Sequence, residues 1–263
     1  MQRASRTPAK SQDTPPTPTF FSGTSGWAYP SWKPDFYPKD VRPRDFLASY
    51  ASRLNSVEVN YTFRALPTTE QIEGWLAATP ADFRFTFKAP QRITHIKRLR
   101  DCEEPLLAFL DAIEPARKAK KLGLIFFQLP PNFKADVDRL ADFLKLRALR
   151  RKGLRVSFEF RHESWFTEAT YDALRSRDAA LCVSESDELI TPDVTTASFR
   201  SYRLRRSGGY SDAEIDRVAH RFNALVPQSE TFVYLRHEEL PTGPLSAARL
   251  LERMLVLQSK GAA

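Results

Sequence analysis

The chain is poor in cysteine, with Cys102 and Cys182 as the only two thiols among 263 residues. Neither lies in a CxxC pair or a zinc-type spacing, so a disulfide framework and a thiolate metal site are both excluded. Cys182 lies in the apolar run AALCVS, which is typical of a buried thiol. We therefore expect both thiols to be reduced and the protein to be cytoplasmic.

Glycine is also scarce, and the nine glycines form neither GxxxxGK[ST] nor GxGxxG, the common phosphate-binding loops. The longest apolar stretch, LGLIFFQL, is too short to cross a bilayer, so no membrane partner is predicted. Residues 1–19 lack the apolar segment of a secretory signal and contain several prolines. We expect them to form a disordered, mildly basic tail before one domain over residues 20–263, with the oligomeric state left open.

Basic residues are in excess, giving a formal charge of +8 and an isoelectric point near 9.6. This charge favours an anionic partner, either a phosphorylated small molecule or nucleic acid, although a plain solvated basic surface is the alternative. The segment RITHIKRLR places Lys97, Arg98 and Arg100 together, where charge and nearby rings would suit either ligand.

Short β-type runs alternate with longer segments of helical period, which predicts an α/β fold with a parallel sheet. Helices are predicted over 42–54, 104–121 with a break at Pro115, 136–148, 167–176 and 245–258. Capping boxes at Thr68 and Ser211 mark two further helix starts. Residues 185–197 are too rich in turn formers for a helix. The eight predicted strands are 20–25, 56–61, 83–88, 122–128, 154–160, 180–184, 198–204 and 231–236. Their number and spacing predict a TIM-type (β/α)8 barrel that is irregular between strands six and seven.

Three of these strands alternate between apolar and polar residues: SVEVNYT, FRFTFK and VSFEFR. An antiparallel sheet with one wet face would show the same pattern, but the spans between these strands are long enough to carry helices. With helices packed outside the barrel, the apolar residues point outward and the polar ones inward, near the carboxyl ends of their strands. The inward set is predicted to be Glu58, Asn60, Lys88, Glu159 and Arg161.

Barrel enzymes carry their active sites at this carboxyl-terminal rim. The inward set therefore predicts a functional site in the opening of the barrel around Glu58, Lys88 and Glu159, which we call the mouth. The alternative is an ion-pair cluster that only stabilises the fold. The first loop, SGWAYPSW, would lie over the mouth, with Trp27 and Tyr29 as an apolar wall; the alternative is that Trp27 and Trp32 plug the top of the barrel.

The segments GTSGWAYPSW, NSVEVNYTF, FTFKAPQRITH, IFFQLPPNF and EFRHESWF resemble, in order, the YecE-like family, also called domain of unknown function 72. The resemblance implies a TIM-type barrel and brings no established activity. In the last third the chain departs from the family pattern. After strand seven the family has an arginine followed by a His-Gly pair, whereas YRLRRSGGY in this chain keeps the arginine as Arg203 and has Arg205 and Arg206 in place of the pair. After strand eight the chain has YLRHEEL, which also differs from the family pattern. The recurrent family positions are Trp27, Tyr29, Glu58, Asn60, Lys88, Thr94, His95, Gln128, Glu159, Arg161, Ser164 and Trp165.

These residues suggest acid–base chemistry, of hydrolase or lyase type, on an anionic and phosphorylated substrate. The catalytic candidates are Glu58, Glu159, His95 and Lys88, with the roles of the two carboxyl groups left open. His237, after strand eight, is a further histidine within reach of the rim. The substrate-binding candidates are Trp27, Tyr29, Asn60, Gln128, Arg161, Trp165 and Arg203.

No cofactor is predicted, since no cofactor motif is present. The alternative is a divalent metal ion held by Glu58, His95 and Glu159, although nothing like HExxH occurs. A second hypothesis is that the protein is a non-catalytic module that binds nucleic acid or a partner through the same polar mouth.

Overall fold

The computed structural model describes residues 20–236 and 240–261. The predicted tail over residues 1–19 and the candidate His237 lie outside these described residues. The strands are β1 (Phe20–Thr24), β2 (Ser56–Val59), β3 (Arg84–Lys88), β4 (Leu122–Gln128), β5 (Val156–Glu159), β6 (Ala180–Glu185), β7 (Phe199–Leu204) and β8 (Glu230–Leu235).

Helices follow most of the strands, as the periodicity predicts. They are α1 (Phe46–Ala51), α2 (Thr69–Ala77), α3 (Glu103–Ala112), α4 (Glu114–Lys118), α5 (Val137–Lys145), α6 (Glu168–Arg175), α7 (Asp212–Asn223) and α8 (Thr242–Gly261). None of the helices within the described ranges combines the length and hydrophobicity that a membrane span requires.

All strand pairings are parallel, in the order β1-β8-β7-β6-β5-β4-β3-β2, and form a nearly closed barrel. The predicted TIM-type fold is therefore confirmed. The irregular connection is confirmed as well, because residues 186–198 between β6 and β7 contain no helix. The predicted break at Pro115 separates α3 from α4, and capping boxes begin α2 and α7.

The predicted strand ends differ from the observed ones by up to two residues. Strand β2 was predicted to reach residue 61 but ends at Val59, because Asn60 turns into the short 3-10 helix Tyr61–Phe63. Strand β5 is shorter than predicted at both ends. These differences arise because the β propensity of a residue does not indicate where hydrogen bonds to the neighbouring strands end.

The alternation in the strands separates two apolar regions. Val57, Phe85 and Phe158 face outward and are buried in the large core between the sheet and the helices. Inside the lower barrel, a smaller cluster contains Phe21, Leu124, Ala180, Phe199, Phe232 and Tyr234. The barrel interior is therefore apolar at the amino-terminal end of the strands and polar at the other end.

A layer of hydroxyl groups marks the change from apolar to polar interior. The Tyr234 hydroxyl donates to Thr86 Oγ1 at 2.6 Å and lies 2.7 Å from Ser56 Oγ. These bonds satisfy polar groups that would otherwise be buried at a cost of about 1–3 kcal/mol each. The layer forms the support beneath the charged residues of the mouth.

The barrel closes between β1 and β2 largely through side chains. One backbone bridge joins Ser25 to Glu58, and Gly26 N donates to Glu58 O at 2.8 Å. Farther down, Asn55 donates to Phe20 O and accepts from Ser22 N, both at 2.9 Å. The Tyr50 hydroxyl accepts from Thr24 N at 2.8 Å and donates to Ser56 O at 2.9 Å, so it replaces missing ladder bonds.

This close approach predicts that Gly23→Ala will strongly destabilise the protein. A Cβ atom at position 23 would lie 2.0 Å from the Ser56 carbonyl oxygen, which is backbone and cannot easily move. We expect the free energy of unfolding in urea to fall by about 3 kcal/mol.

The matched control is Gly74→Ala in α2, where nothing lies within 4 Å of the added Cβ. Alanine should raise the unfolding free energy there by about 0.5–1 kcal/mol, because it favours the helix. Equal stability of Gly23→Ala and the wild type would contradict the proposed contact between β1 and β2.

Candidate active site

A buried ion cluster lies at the carboxyl-terminal end of the barrel. Arg203 on β7 donates through Nη2 to Glu58 Oε1 on β2 at 2.9 Å, and through Nη1 to Glu159 Oε2 on β5 at 2.6 Å. All three residues are at most 2% exposed. One guanidinium therefore holds two carboxylates from distant strands.

The cluster extends along a hydrogen-bonded chain to Lys88. Gln128 Nε2 donates to Glu159 Oε1 at 2.9 Å, and Gln128 Oε1 accepts from Lys88 Nζ at 2.8 Å. The half-buried Lys88 ammonium also lies 4.4 Å from the centre of the Phe63 ring. The chain of contacts thus brings together residues from five of the eight strands.

Two oxygens in this region are buried without a hydrogen-bond partner among the described residues: Glu58 Oε2 and Asn60 Oδ1. Asn60 itself is half-buried, directly after β2. Because buried polar atoms are usually satisfied, these two oxygens and the equally unpaired Arg203 Nε make the Glu58 side of the cluster energetically costly.

The charges of the cluster displace the pKa values of its members. Burial raises the pKa of Glu159, but the Arg203 charge and hydrogen bond outweigh burial, so the net pKa lies below its ordinary value. The pKa of Lys88 falls to about 8, mainly because of burial and then because of the Arg203 charge. Glu159 is thus held ionised, whereas Lys88 titrates close to neutral pH.

A cavity of about 580 Å³ opens above Glu159 on the side of β5 to β8. Its lining includes Arg161, Arg205, Arg236 and the connection after β6. Arg161 lies 3.6 Å from the exposed Glu188, and Arg236 Nη1 donates to Ser207 Oγ at 3.2 Å. The cavity therefore has the Glu159 carboxylate in its floor and both guanidinium groups and carboxylates in its walls, since Glu163, Asp187 and Glu188 line it as well.

Arg205 differs from the other two arginines of the cavity. Within residues 20–236 and 240–261 its guanidinium has no hydrogen-bond or ion-pair partner. Repulsion from Arg203, followed by burial, lowers the pKa of Arg205 to about 10. This residue was not among the candidates from sequence, although its spacing of two from Arg203 in YRLRR would have placed both on the inward face.

His95 lies beside this cluster rather than within it. It follows β3 in the π-helical turn Arg92–Ile96, with Nδ1 2.9 Å from Thr94 Oγ1 and its ring edge-on to Phe63. Its pKa is lowered, first by burial and then by the charge of Lys88. We infer that the ring is mostly neutral at pH 7.

The aromatic residues of the first loop have different environments. Trp27 and Tyr29 are half-buried, and Trp27 packs edge-on against Trp75 of α2. The Tyr29 hydroxyl donates to Ser25 O at 3.1 Å. Trp32, by contrast, is fully buried and belongs to the outer core. The alternative of a packing role therefore holds for Trp32, while Trp27 and Tyr29 keep partly exposed surface.

Two predicted ligand-binding residues occupy other places than expected. Trp165 is fully buried, stacks on Phe160 and donates from Nε1 to Phe133 O at 2.7 Å, so it has no surface for a ligand. Arg161 was predicted to point into the barrel, but β5 ends at Glu159 and Arg161 is exposed at the cavity wall. The family position Ser164 accepts from Ala135 N at 2.8 Å.

The metal alternative requires Glu58, His95 and Glu159 to converge. Arg203 instead lies between the two carboxylates, and His95 is bonded to Thr94. Within the described part of the chain, no three His, Cys, Asp or Glu side chains come together as a metal-binding group.

Comparison with known proteins places the chain in a family. The family described as "Protein of unknown function DUF72" matches residues 21–262. The chain belongs to the DUF72 family. The resemblance in its motifs is thereby confirmed, and the DUF72 assignment covers the barrel together with the mouth.

Two curated DUF72-type relatives match part of the chain. UPF0759 protein YecE of Escherichia coli strain K12 is 36% identical over 114 residues, which are 43% of this chain and 38% of the relative. UPF0759 protein YunF of Bacillus subtilis strain 168 is 28% identical over 156 residues, 58% of this chain and 54% of the relative. The matches thus span about half or less of each relative.

Solved DUF72 structures support the same fold. A DUF72 family protein from Thermotoga maritima superposes with a TM-score of 0.78 at 25% identity, covering 90% of this chain and 99% of that one. A DUF72 family protein from Enterococcus faecalis, at 17% identity and a TM-score of 0.69, supports the fold alone.

The ion cluster predicts that Arg203→Met will destabilise the protein in a pH-dependent way. The substitution leaves Glu58 and Glu159 buried without their cation, and we expect a loss of about 3–5 kcal/mol in unfolding free energy at pH 7. Without the Arg203 charge, burial would raise the pKa of Glu159 above its unfolded value. The folded variant would bind more protons, so its deficit should shrink as the pH falls from 7 to 5.

The measurement is urea unfolding at both pH values. As a control, Arg203→Met combined with Glu58→Gln and Glu159→Gln removes all three charges and should regain most of the lost stability. A deficit in Arg203→Met that is equal at pH 5 and pH 7 would rule out unpaired carboxylates as its cause.

Proposed function

We propose that this protein is an enzyme that binds an anionic, phosphate-bearing small molecule in the mouth and acts on it by acid–base chemistry. The observation that carries the proposal is Arg205, a half-buried guanidinium in the cavity wall with no partner among the described residues. Buried cations normally have an anion beside them, so the site is suited to receive one from a ligand.

The electrostatics of the cavity support an anionic ligand. Arg205 is repelled by the positive charge of Arg203. A phosphate bound to the Arg205 guanidinium would offset this repulsion, because its negative charge attracts Arg205. Of the three carboxylates in the walls, Asp187 accepts from Ser207 N at 3.1 Å and Glu188 lies 3.6 Å from Arg161, whereas Glu163 is exposed to solvent. An Arg–phosphate contact of this kind is charge-assisted and often bidentate.

The residues around the floor support acid–base chemistry of hydrolase or lyase type. Glu159 lines the cavity and is held as a carboxylate, which suits a general base. Lys88, with a pKa of about 8, is suited to donate or accept a proton near neutral pH. Glu58 has no exposed surface, and in this proposal it positions Arg203 rather than touching the substrate.

A non-catalytic nucleic-acid module is the second candidate function. Tyr61 is 46% exposed in the loop after β2, and the basic segment from Arg92 to Arg100 follows β3. An exposed ring next to basic side chains can stack on a base while contacting phosphates. Binding of single-stranded oligonucleotides that is insensitive to Arg205→Gln and Glu159→Gln would favour this module.

Phosphate binding tests the anion site directly. We expect inorganic phosphate to bind the wild-type protein in calorimetric titrations, and Arg205→Gln to weaken the affinity at least tenfold, because the free guanidinium is lost. The matched control is Arg177→Gln, an exposed arginine before β6. Equal affinity of the wild type and Arg205→Gln for inorganic phosphate would contradict the proposed anion site.

Turnover tests the catalytic part of the proposal. In a screen of phosphate monoesters and sugar phosphates, the wild type should convert at least one compound, and Glu159→Gln should lower kcat at least 100-fold because the general base is removed. Inorganic phosphate should still bind this variant. The control is Glu73→Gln on the exposed face of α2. Undiminished turnover by Glu159→Gln would contradict the assigned role.

A further inference from the structure

Lys88 lies at the barrel opening with a half-buried side chain and no ion pair among the described residues. Its side chain is half-buried, and its one hydrogen bond goes to the neutral amide oxygen of Gln128 at 2.8 Å. No described carboxylate forms an ion pair with it. An amine in such a place is poorly stabilised as an ammonium, which is the usual condition for a nucleophilic lysine.

The neighbours of Lys88 act in both directions. The positive charges of Arg203 and Arg205 oppose protonation, whereas Glu58, Glu159 and the face of the Phe63 ring favour it, and burial decides the balance towards a lowered pKa. A cationic neighbour together with desolvation is a recognised way of activating a lysine as a nucleophile. Lys88 also ends β3, and Gln128 links its amine to Glu159 in the floor of the cavity that Arg205 lines.

We propose that Lys88 is a nucleophile that forms an imine with a carbonyl group of the substrate. The inference rests on the proposed function and makes the substrate a phosphorylated aldehyde or ketone. Arg205 would bind the phosphate, and Lys88 would react with the carbonyl carbon. This narrows the chemistry from hydrolase or lyase to the lyase type, in which an imine serves as an electron sink.

The step balances without an oxidant or a reductant. The neutral amine of Lys88 attacks the carbonyl carbon, so a carbon–nitrogen bond forms while the carbon–oxygen π bond breaks, and one proton moves from the nitrogen to the oxygen to give a carbinolamine. The carbon–oxygen bond then breaks, the hydroxyl group leaves as water with the second proton released by the nitrogen, and the carbon–nitrogen double bond of the imine forms. Glu159, which Gln128 connects to Lys88, is a carboxylate and would relay these protons by accepting each from the nitrogen and passing it to the oxygen.

The test is reductive trapping of the intact protein with glyceraldehyde 3-phosphate and sodium cyanoborohydride, followed by peptide mass spectrometry. Cyanoborohydride supplies the hydride that converts the imine to a stable secondary amine. We expect one adduct per chain, at Lys88, formed at least tenfold faster than at exposed lysines such as Lys152. The rate should rise with pH around 8, where this amine loses its proton.

The variants separate this inference from the proposed function. Lys88→Arg keeps the charge and should abolish the fast adduct, and Lys88→Met serves the same purpose if arginine does not fit. Lys152→Arg is the matched control, and unphosphorylated glyceraldehyde should react at least tenfold more slowly than its phosphate. Label spread evenly over surface lysines, with inorganic phosphate still bound, would overturn the imine and leave the phosphate site standing. Absence of both phosphate binding and labelling would overturn both proposals.

Discussion

The structure depends on the contact of one buried guanidinium with two buried carboxylates. Arg203 joins Glu58 and Glu159 at 2.9 and 2.6 Å, and so connects β7 to β2 and β5 across the barrel. Charges removed from water cost several kcal/mol each, so this arrangement is tolerated only because each carboxylate meets the guanidinium directly. The same contact fixes the geometry of the mouth, since Gln128 and Lys88 are aligned by Glu159.

A polar upper barrel requires that stability come from elsewhere. The large outer core between sheet and helices contains most of the buried apolar side chains, and the lower interior is filled by aromatic rings such as Phe21 and Phe232, which stack at 4.7 Å. Hydroxyl groups of Ser56, Thr86 and Tyr234 separate this apolar lower interior from the charged residues of the mouth. The division lets the carboxyl-terminal half of the interior hold reactive groups instead of packing residues.

The sequence predicted the barrel and the inward polar set because side chains alternate strictly along a strand, as in SVEVNYT and VSFEFR. It could not predict the depth of each residue. Alternation assigns Glu58 and Arg161 to the same face, yet one is fully buried and the other is exposed beyond the end of β5. Nor does local pattern reveal that Asn55 and Tyr50 replace backbone bonds between β1 and β2, because those contacts depend on barrel closure.

Arg203 keeps Glu159 ionised inside the protein. The most direct measurement is the pH titration of the Glu159 side-chain carboxyl carbon by NMR, using protein labelled with ¹³C at glutamate and assigned with Glu159→Gln. We expect this carbon to titrate below the ordinary range of a glutamate, because the guanidinium outweighs desolvation. A titration midpoint at or above that range would show that burial prevails, and would contradict the ion cluster as described.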